Sequence, residues 1–415
     1  MAYIGDVVIY IIMAFVVWGA VAAIINDREG MGKEFLTGLH SIGPIFIPVA
    51  GIMASIPYLS TFVENVLGPV WEAVGADPGI AATTFIASDM GGYQLALATA
   101  DSNGAWIMAL VTGFMAGATI VFTIPVGLAM LDKADHKYMA LGVMSGVLTI
   151  PIGVFIAMTL VLISDSGIRS EAATTGPTNV PIEGLSMGSM LVNLIPVTIV
   201  VVLIALGLRL VPDLMIRIFL IFGRVLDVAI KLVLAFSIVE YFTGFFSELF
   251  GSWGFDPIIA DEADQFRALE VAGYIGIMLA GAFPMVYAIR TYLKKPISAI
   301  GSKVGLSTEG TAGVLAAAAN VLALFHLVRD MPARDKVMCI AFAVCSAFLL
   351  GDHLSFTANF QPNLIGPVLI GKLTAGVLAM VLAYWIAVPI ARRLEQEEQG
   401  EEDVDERQSD PTPTS

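Results

Sequence analysis

Charge is scarce in this chain. Only 14% of its 415 residues are Asp, Glu, Lys or Arg, against about 25% in soluble domains. Histidine and cysteine are scarcer still, at four and two. Cys339 and Cys345 share one apolar segment and, six residues apart, fall on different helix faces, so they read as reduced packing residues rather than a disulfide. His40, His136 and His326 stand alone, without ligand-like neighbours. Enzyme signatures are missing too: there is no H-E-x-x-H, no P-loop and no Gly-x-Gly-x-x-Gly ahead of a helix. GLSMG (184–188) fits G-x-S-x-G, but it precedes an apolar span with no strand to build the nucleophile elbow. The expectation is therefore no catalytic residue, no metal site and no cofactor.

What fills the chain is apolar residue, 57% of it, with a mean hydropathy of +0.84. An all-α polytopic membrane protein is the class that fits. Apolar stretches near the ~20 residues needed to cross a bilayer lie at 4–25, 36–58, 104–130, 138–164, 188–211, 221–246, 270–293, 334–358 and 363–391. The first lacks a basic leader and a small-residue cleavage site, and reads as a retained span rather than a signal peptide. Two further segments, 78–100 and 308–329, are rich in Ala, Gly and Thr and carry a polar residue at the centre, Asp89 and Asn320.

Basic residues decide how these segments are threaded. If 78–100 and 308–329 are re-entrant, then Arg28, Lys33, Lys133, Lys137, Arg209, Arg217, Arg224, Arg290, Lys294, Lys295, Lys303, Arg392 and Arg393 all fall on one side. The acid-rich 165–187 and 247–268 loops fall on the other. The expectation is about nine full spans plus two re-entrant or broken helical segments, N-terminus outside and C-terminus inside; eleven full spans is the alternative. The net charge of −15 says less than its size suggests, because residues 394–415 hold nine acids and one base, Arg407. That tail is apolar-poor and is expected to be a disordered, solvating cytoplasmic end.

The two halves resemble each other. HSIGPIFIPVAGIMASIP (40–57) aligns with GYIGIMLAGAFPMV (273–286), VGADPGIAATTFIASDMGG (74–92) with VGLSTEGTAGVLAAAANVL (304–322), and AGATIVFTIP (116–125) with LGDHLSFTAN (350–359). Gly43 to Asp89 is 46 residues and Gly276 to Asn320 is 44; Asp89 to Gly117 is 28 and Asn320 to Gly351 is 31. On the threading above, the copies are inverted, an architecture that places transport sites near the midplane between repeats. The expected organisation is residues 1–35 as first helix and loop, 36–165 as repeat 1, 166–269 as connecting loop and helices, 270–391 as repeat 2, and 392–415 as tail.

The chemistry sits in the broken segments. Asp89 and Asp352 are carboxylates inside long apolar stretches, where a charge costs roughly 2.5–3.5 kcal/mol on insertion scales and is usually paired or facing water. Asp89-Met90-Gly91-Gly92 sets a glycine pair directly after the carboxylate, and non-helical backbone is tolerated at depth only against protein or water. Tyr93 offers a π-face for an ammonium group. Asp352, His353, Ser355, Phe356 and Thr357 crowd a carboxylate, an imidazole and hydroxyls into six residues, a set able to bind a small polar ligand or relay protons. Lys372 in the next span competes as a neutralising partner for Asp352. Asn320 is the counterpart of Asp89, and Thr119, Phe122 and Thr123 that of His353, Phe356 and Thr357. Arg224, Asp227 and Lys231 are spaced to pair on one helix face, and Gly113/Gly117 and Gly142/Gly146 suit close helix packing.

At these residues the chain resembles the ethanolamine permease family of bacterial ethanolamine-utilisation systems. The matching stretches are ASDMGGYQLA (87–96), GATIVFTIPVGL (117–128), YMALGVMSGVLTIPIG (138–153), IPVTIVVVLIALGL (195–208), ALEVAGYIGIMLAGAFPMV (268–286), FAVCSAFLLGDHL (342–354) and IGKLTAGV (370–377). The acidic tail and the 165–187 loop depart from it, and Val321 follows Asn320 where the family can carry a second amide, which weakens the second segment as a ligand. The resemblance implies an inner-membrane carrier bringing ethanolamine, mostly a cation at neutral pH, into the cytoplasm. The expected binding set is Asp89, Gly91, Tyr93, Thr119, Phe122, Thr123, Asn320, Asp352, His353, Ser355 and Phe356. Expected partners are ethanolamine, the lipid bilayer, protons or sodium as candidate coupling ions and further copies of the chain; nucleic acid is not among them. The rival functions are a proton- or sodium-coupled carrier of another small cation or polar metabolite, and a non-transporting membrane scaffold.

Overall fold

Helix dominates because the apolar runs carry helix formers, and because Asp77, Ser102, Ser186 and Ser307 each stand before a helix and accept one of its orphan N–H groups. The computed structural model describes the backbone of residues 2–409 and the side chains of residues 3–398. Among them the only strand-like pairing is one bridge, Ile168 to Val180. Seven helices are long and apolar enough to cross a bilayer: Tyr3–Ile25, Gly30–Ala54, Asn103–Met130, Lys133–Ser164, Met187–Leu210, Ala268–Tyr292 and Pro362–Ile386. Pro212–Thr243 is a further long helix, of 32 residues. Another helix is broken in the middle, Ala333–Ser346 and Asp352–Phe360. The chain is a multi-pass membrane protein.

The segments 78–100 and 308–329 do not cross. Asp77 holds both ends of the first: its carboxylate accepts from Gly79 N at 2.8 Å and from Asp101 N at 3.0 Å. Asp335 likewise accepts from Ser307 N at 2.8 Å, and Arg334 donates to Val304 O at 3.0 Å, closing the base of the second. Each segment is therefore a hairpin that returns to its own side, and the eleven-span alternative fails.

The hairpins enter from opposite faces. Base 1 adjoins the start of the Met187–Leu210 helix, through Asp77 N to Asn193 Oδ1, and the start of the Asn103–Met130 helix, whose Gly104 N donates to Glu183 O of the 165–187 loop. Base 2 adjoins the loop after the other end of that helix, through Lys336 Nζ to Asp135 Oδ1 at 2.5 Å. Twenty-eight residues of helix, about 42 Å at 1.5 Å each, separate the two bases. The two hairpins are thus inverted with respect to each other. That separating helix is almost wholly buried, as a helix apolar on every side should be. Gly142 and Gly146 let its successor pack on the Ala333–Ser346 helix, where an added Cβ would meet Ile340 and Val344 at 2.6 Å.

The sequence reading expects disorder from residue 392. The structure continues the Val388–Ser409 helix through most of that stretch. Glu398 accepts from Lys137 and from Tyr138 Oη, and Glu395 accepts from Ala333 N, so the first acids of the tail are docked on the basic loop. Residues 410–415 lie outside the described residues.

Candidate functional site

Four interrupted helices meet at one depth. The first hairpin runs as Pro78–Phe85, two extended residues, a short 3₁₀ turn Ser88–Met90, then Gly92–Thr99. The chain turns at Gly91, whose φ of +97° is open to glycine and strained for other residues. Ser88 Oγ donates to Leu110 O at 2.8 Å and pins the tip to the Asn103–Met130 helix. That helix meets the tip with two π-turns, Gly113–Gly117 and Thr119–Thr123. π-turns recur at functional sites, and here the glycines make the approach possible: a Cβ on Gly113 would lie 2.2 Å from Ser88 Oγ, and one on Gly117 2.3 Å from Ile86 O.

The second hairpin breaks at a single residue. Asn320, extended, separates Thr308–Ala319 from Val321–Val328, and its Oδ1 caps the latter by accepting from Leu322 N at 2.9 Å. Its partner crossing helix is cut outright over residues 347–351. Phe348 N and Leu350 N donate to Ala317 O and Ala318 O, orphan carbonyls at the end of the hairpin arm. Phe348 takes a φ of +59°, rare for a bulky residue. The helix restarts with Asp352 and His353 in its first turn, where the helix dipole favours a carboxylate.

These breaks enclose a cavity of about 150 Å³. Asp89, Asn320, Asp352 and His353, with Ser41, supply its polar side chains. Phe122, Phe283 and Phe348 supply aromatic wall, and Pro44, Ile45 and Pro48 close one side. His353 Nε2 lies 3.6 Å from Asp89 Oδ1, and neither atom has a hydrogen-bond partner among the described residues. The imidazole ring is otherwise held between Phe114 and Phe348, with centroids 4.5 and 5.3 Å away. Buried unpaired polar atoms are costly, and these two approach each other at the cavity.

Five of the eleven expected residues line this cavity: Asp89, Phe122, Asn320, Asp352 and His353. The other six stand behind it. Gly91 forms the turn. Tyr93 stacks on Trp106 at 4.6 Å and meets Phe356 edge-on at 5.4 Å, and its hydroxyl accepts from Gln361 Nε2 at 2.8 Å; its ring is spent on packing. Thr119 donates to Val344 O at 2.8 Å. Thr123, Ser355 and Phe356 are buried, and Ser355 Oγ has no partner among the described residues. Lys372 does not take the role of a counter-charge bonded to Asp352. Its Nζ donates to Phe114 O at 2.8 Å, a carbonyl within the Gly113–Gly117 π-turn. Sequence reasoning missed Ser41, Met90, Phe283 and Phe348 in the lining. Phe283 sits inside one of the repeated stretches and could have been found there; the outlying backbone of Phe348 leaves no trace in the sequence.

The family model described as EutH, ethanolamine utilisation protein, matches residues 4–386. A Listeria monocytogenes protein named probable ethanolamine permease EutH is 35% identical over 397 residues, covering 95% of this chain and 98% of the relative. A protein of the same name from Escherichia coli is 36% identical over 400 residues, covering 92% and 95%. A Bacillus subtilis relative, the uncharacterized protein YxeR, is 34% identical over 384 residues, again covering 92% and 95%. No solved structure matches the chain.

Proposed function

Because the chain belongs to the EutH family of ethanolamine utilisation proteins, we propose that it is a permease carrying ethanolamine, as the ethanolammonium cation, across the bacterial inner membrane into the cytoplasm. The observation that carries this reading is that two carboxylates from different repeats, Asp89 and Asp352, open on one small and largely apolar cavity. Two carboxylates facing one low-dielectric cavity disfavour each other's charge, which a cation between them relieves, and their pull on one is stronger at low dielectric than in water. In this reading Asp89 and Asp352 hold the ammonium, the Asn320 amide or the His353 imidazole meets the hydroxyl, and Phe122 and Phe348 cover the carbons. Thr119, Thr123, Ser355, Phe356, Gly91 and Tyr93 shape the wall from behind.

The hairpin bases suggest how access alternates. Withdrawing the first hairpin tip would open the cavity toward the acidic face, and withdrawing the second toward the basic face. Positive-inside bias makes the basic face cytoplasmic and puts the C-terminal helix on that side.

Uptake of labelled ethanolamine into proteoliposomes at acidic external pH, where the freely diffusing neutral amine is scarce, tests the reading. Wild type is expected to show saturable uptake. Asp89→Asn and Asp352→Asn are each expected to weaken binding by about 10- to 100-fold, since charge-assisted hydrogen bonds contribute about 1.5–3 kcal/mol. Undiminished uptake in both variants would remove the site. A second reading, proton coupling, is favoured by the unpartnered His353–Asp89 approach; uptake indifferent to imposed pH gradients would end it.

A further inference from the structure

The acidic face holds a second cavity, of about 350 Å³. The two acid-rich loops, 165–187 and 247–268, meet there over the outer arm of the first hairpin, the Gly92–Thr99 helix. Glu171 comes from one loop, Asp256 and Asp264 from the other, and Gln94 from the arm. Asp256 N donates to Ala54 O at 2.8 Å and fixes its loop to the end of the Gly30–Ala54 helix.

Two observations point to a ligand. Gln94 is only 9% exposed, yet neither its Oε1 nor its Nε2 has a hydrogen-bond partner among the described residues. A buried amide left so is costly, and it has both an acceptor and a donor to give a guest. The second observation is the charge balance. Arg267 also lines the cavity, but its guanidinium is engaged: Nη2 donates to Asp261 Oδ2 at 3.3 Å and Nη1 lies 3.5 Å from Asp264 Oδ2. Glu171 and Asp256 have no ion-pair partner among the described residues. Burial pushes the Asp256 carboxyl above its ordinary value against the pull of Arg267, and Asp264 and Asp261 add to the push. A cation in the cavity would relieve it. Among the described residues no three acids are grouped to hold a metal ion. Phe266 adds an aromatic wall, which suits an organic ammonium group.

This cavity adjoins the central one. Val49 lines the central cavity and Met53 the outer one. Four residues apart on one helix, they share a face and stand about 6 Å apart along its axis. Met53 also packs against the hairpin turn, where a Cβ on Gly91 would lie 3.1 Å from its Cγ. Asp89 and Gln94 therefore line the two cavities from either side of that turn.

We propose that the outer cavity is a second binding site, for an organic ammonium cation that waits about one helical turn outside the central cavity. Glu171 and Asp256 hold the ammonium, and Gln94 meets a hydroxyl beside it. Naming the cation as ethanolammonium rests on the permease reading.

Thiol labelling of the full chain in lipid nanodiscs, where both faces are open to reagent, tests it. Cys339 and Cys345 are buried and can stay. Ala98→Cys puts a thiol at an exposed position of the lining. A cationic methanethiosulfonate should modify it about 10-fold faster than an anionic one, since a cleft of one charge sign concentrates counter-ions. Saturating ethanolamine should slow the cationic reagent there, and not at Ser252→Cys, exposed on the same loop as Asp256 and outside the lining. Adding Glu171→Gln and Asp256→Asn should bring the two reagents' rates together. Gln94→Leu removes an unsatisfied amide, so the chain should stay folded while protection needs about 10-fold more ethanolamine. Protection should persist in Asp89→Asn, which weakens the central site. Equal rates for the two reagents at Ala98→Cys, no protection by ethanolamine, or protection that vanishes with Asp89→Asn would each overturn the proposal. The permease reading fails separately, on wild-type proteoliposomes without saturable uptake; protection at Ala98→Cys would then still show the outer site.

Discussion

The two hairpins follow one plan from opposite faces and place their charge differently. In the first half the carboxylate rides on the hairpin tip, Asp89, and the facing helix stays continuous through two π-turns. In the second half the tip carries the neutral Asn320, and the carboxylate moves to the facing helix, which is cut to place Asp352 at its restart. The first tip needs a 3₁₀ turn and a left-handed glycine; the second needs one extended asparagine that caps its own helix. A carboxylate thus reaches the same cavity by two backbone routes. The lesson is that the cavity constrains charge and depth, and leaves the local route to each half.

The largest expected effect comes from moving the charge. Asp89→Asn combined with Asn320→Asp keeps two carboxylates at the cavity but shifts one to the other hairpin. If the tips are equivalent, the double variant should regain much of the uptake that Asp89→Asn loses by about 10- to 100-fold. No recovery, with both variants present in the membrane, would show that each hairpin has its own role.

Next is tip geometry. Gly91→Ala forces a residue into φ +97° and sets its Cβ 2.9 Å from Ile52, a strain of about 1–3 kcal/mol. Asn320→Ala loses a helix cap, about 1 kcal/mol. Thermal unfolding in detergent should therefore rank Gly91→Ala below Asn320→Ala; the reverse order would contradict the two-route picture.

A comparable cost is expected at the π-turn. Lys372→Met removes the donor to Phe114 O and leaves a buried carbonyl unpaired, about 1–3 kcal/mol. Unchanged unfolding temperature and uptake would mean that Lys372 does not support the first facing helix.

The smallest effect belongs to the docked tail. Glu398→Gln weakens the contact with Lys137 and Tyr138, a partly exposed pair worth about 0–1 kcal/mol. Burial would raise the Glu398 pKa, but the hydrogen bonds from Lys137 and Tyr138 hold it below its ordinary value. A group with a lowered folded pKa stabilises docking above its free value and loses that as pH falls through the folded one. Proteolysis of the tail should therefore quicken only in acid for wild type, and at neutral pH for Glu398→Gln, with ethanolamine uptake intact in both.

The class and the two carboxylates set inside apolar runs were legible in the residue order. Hydrophobic thickness demands long apolar runs, and a charge inside one is costly enough to stand out against its neighbours. The hairpins were legible too, through basic residues that only re-entrant segments could bring to one side. Which polar residues face the cavity was not. Tyr93 and Asp89 lie four residues apart in one segment, yet the turn at Gly91 directs Asp89 into the cavity while Tyr93 packs between Trp106 and Phe356. Lys372 was weighed as a competing counter-ion for Asp352 because it is a cation in the next apolar span; in space a π-turn carbonyl accepts its hydrogen bond. Hydropathy is summed residue by residue, so sequence alone determines what must be buried. The direction of a side chain at a break depends on dihedrals settled by packing between distant segments, and only the tertiary structure decides them.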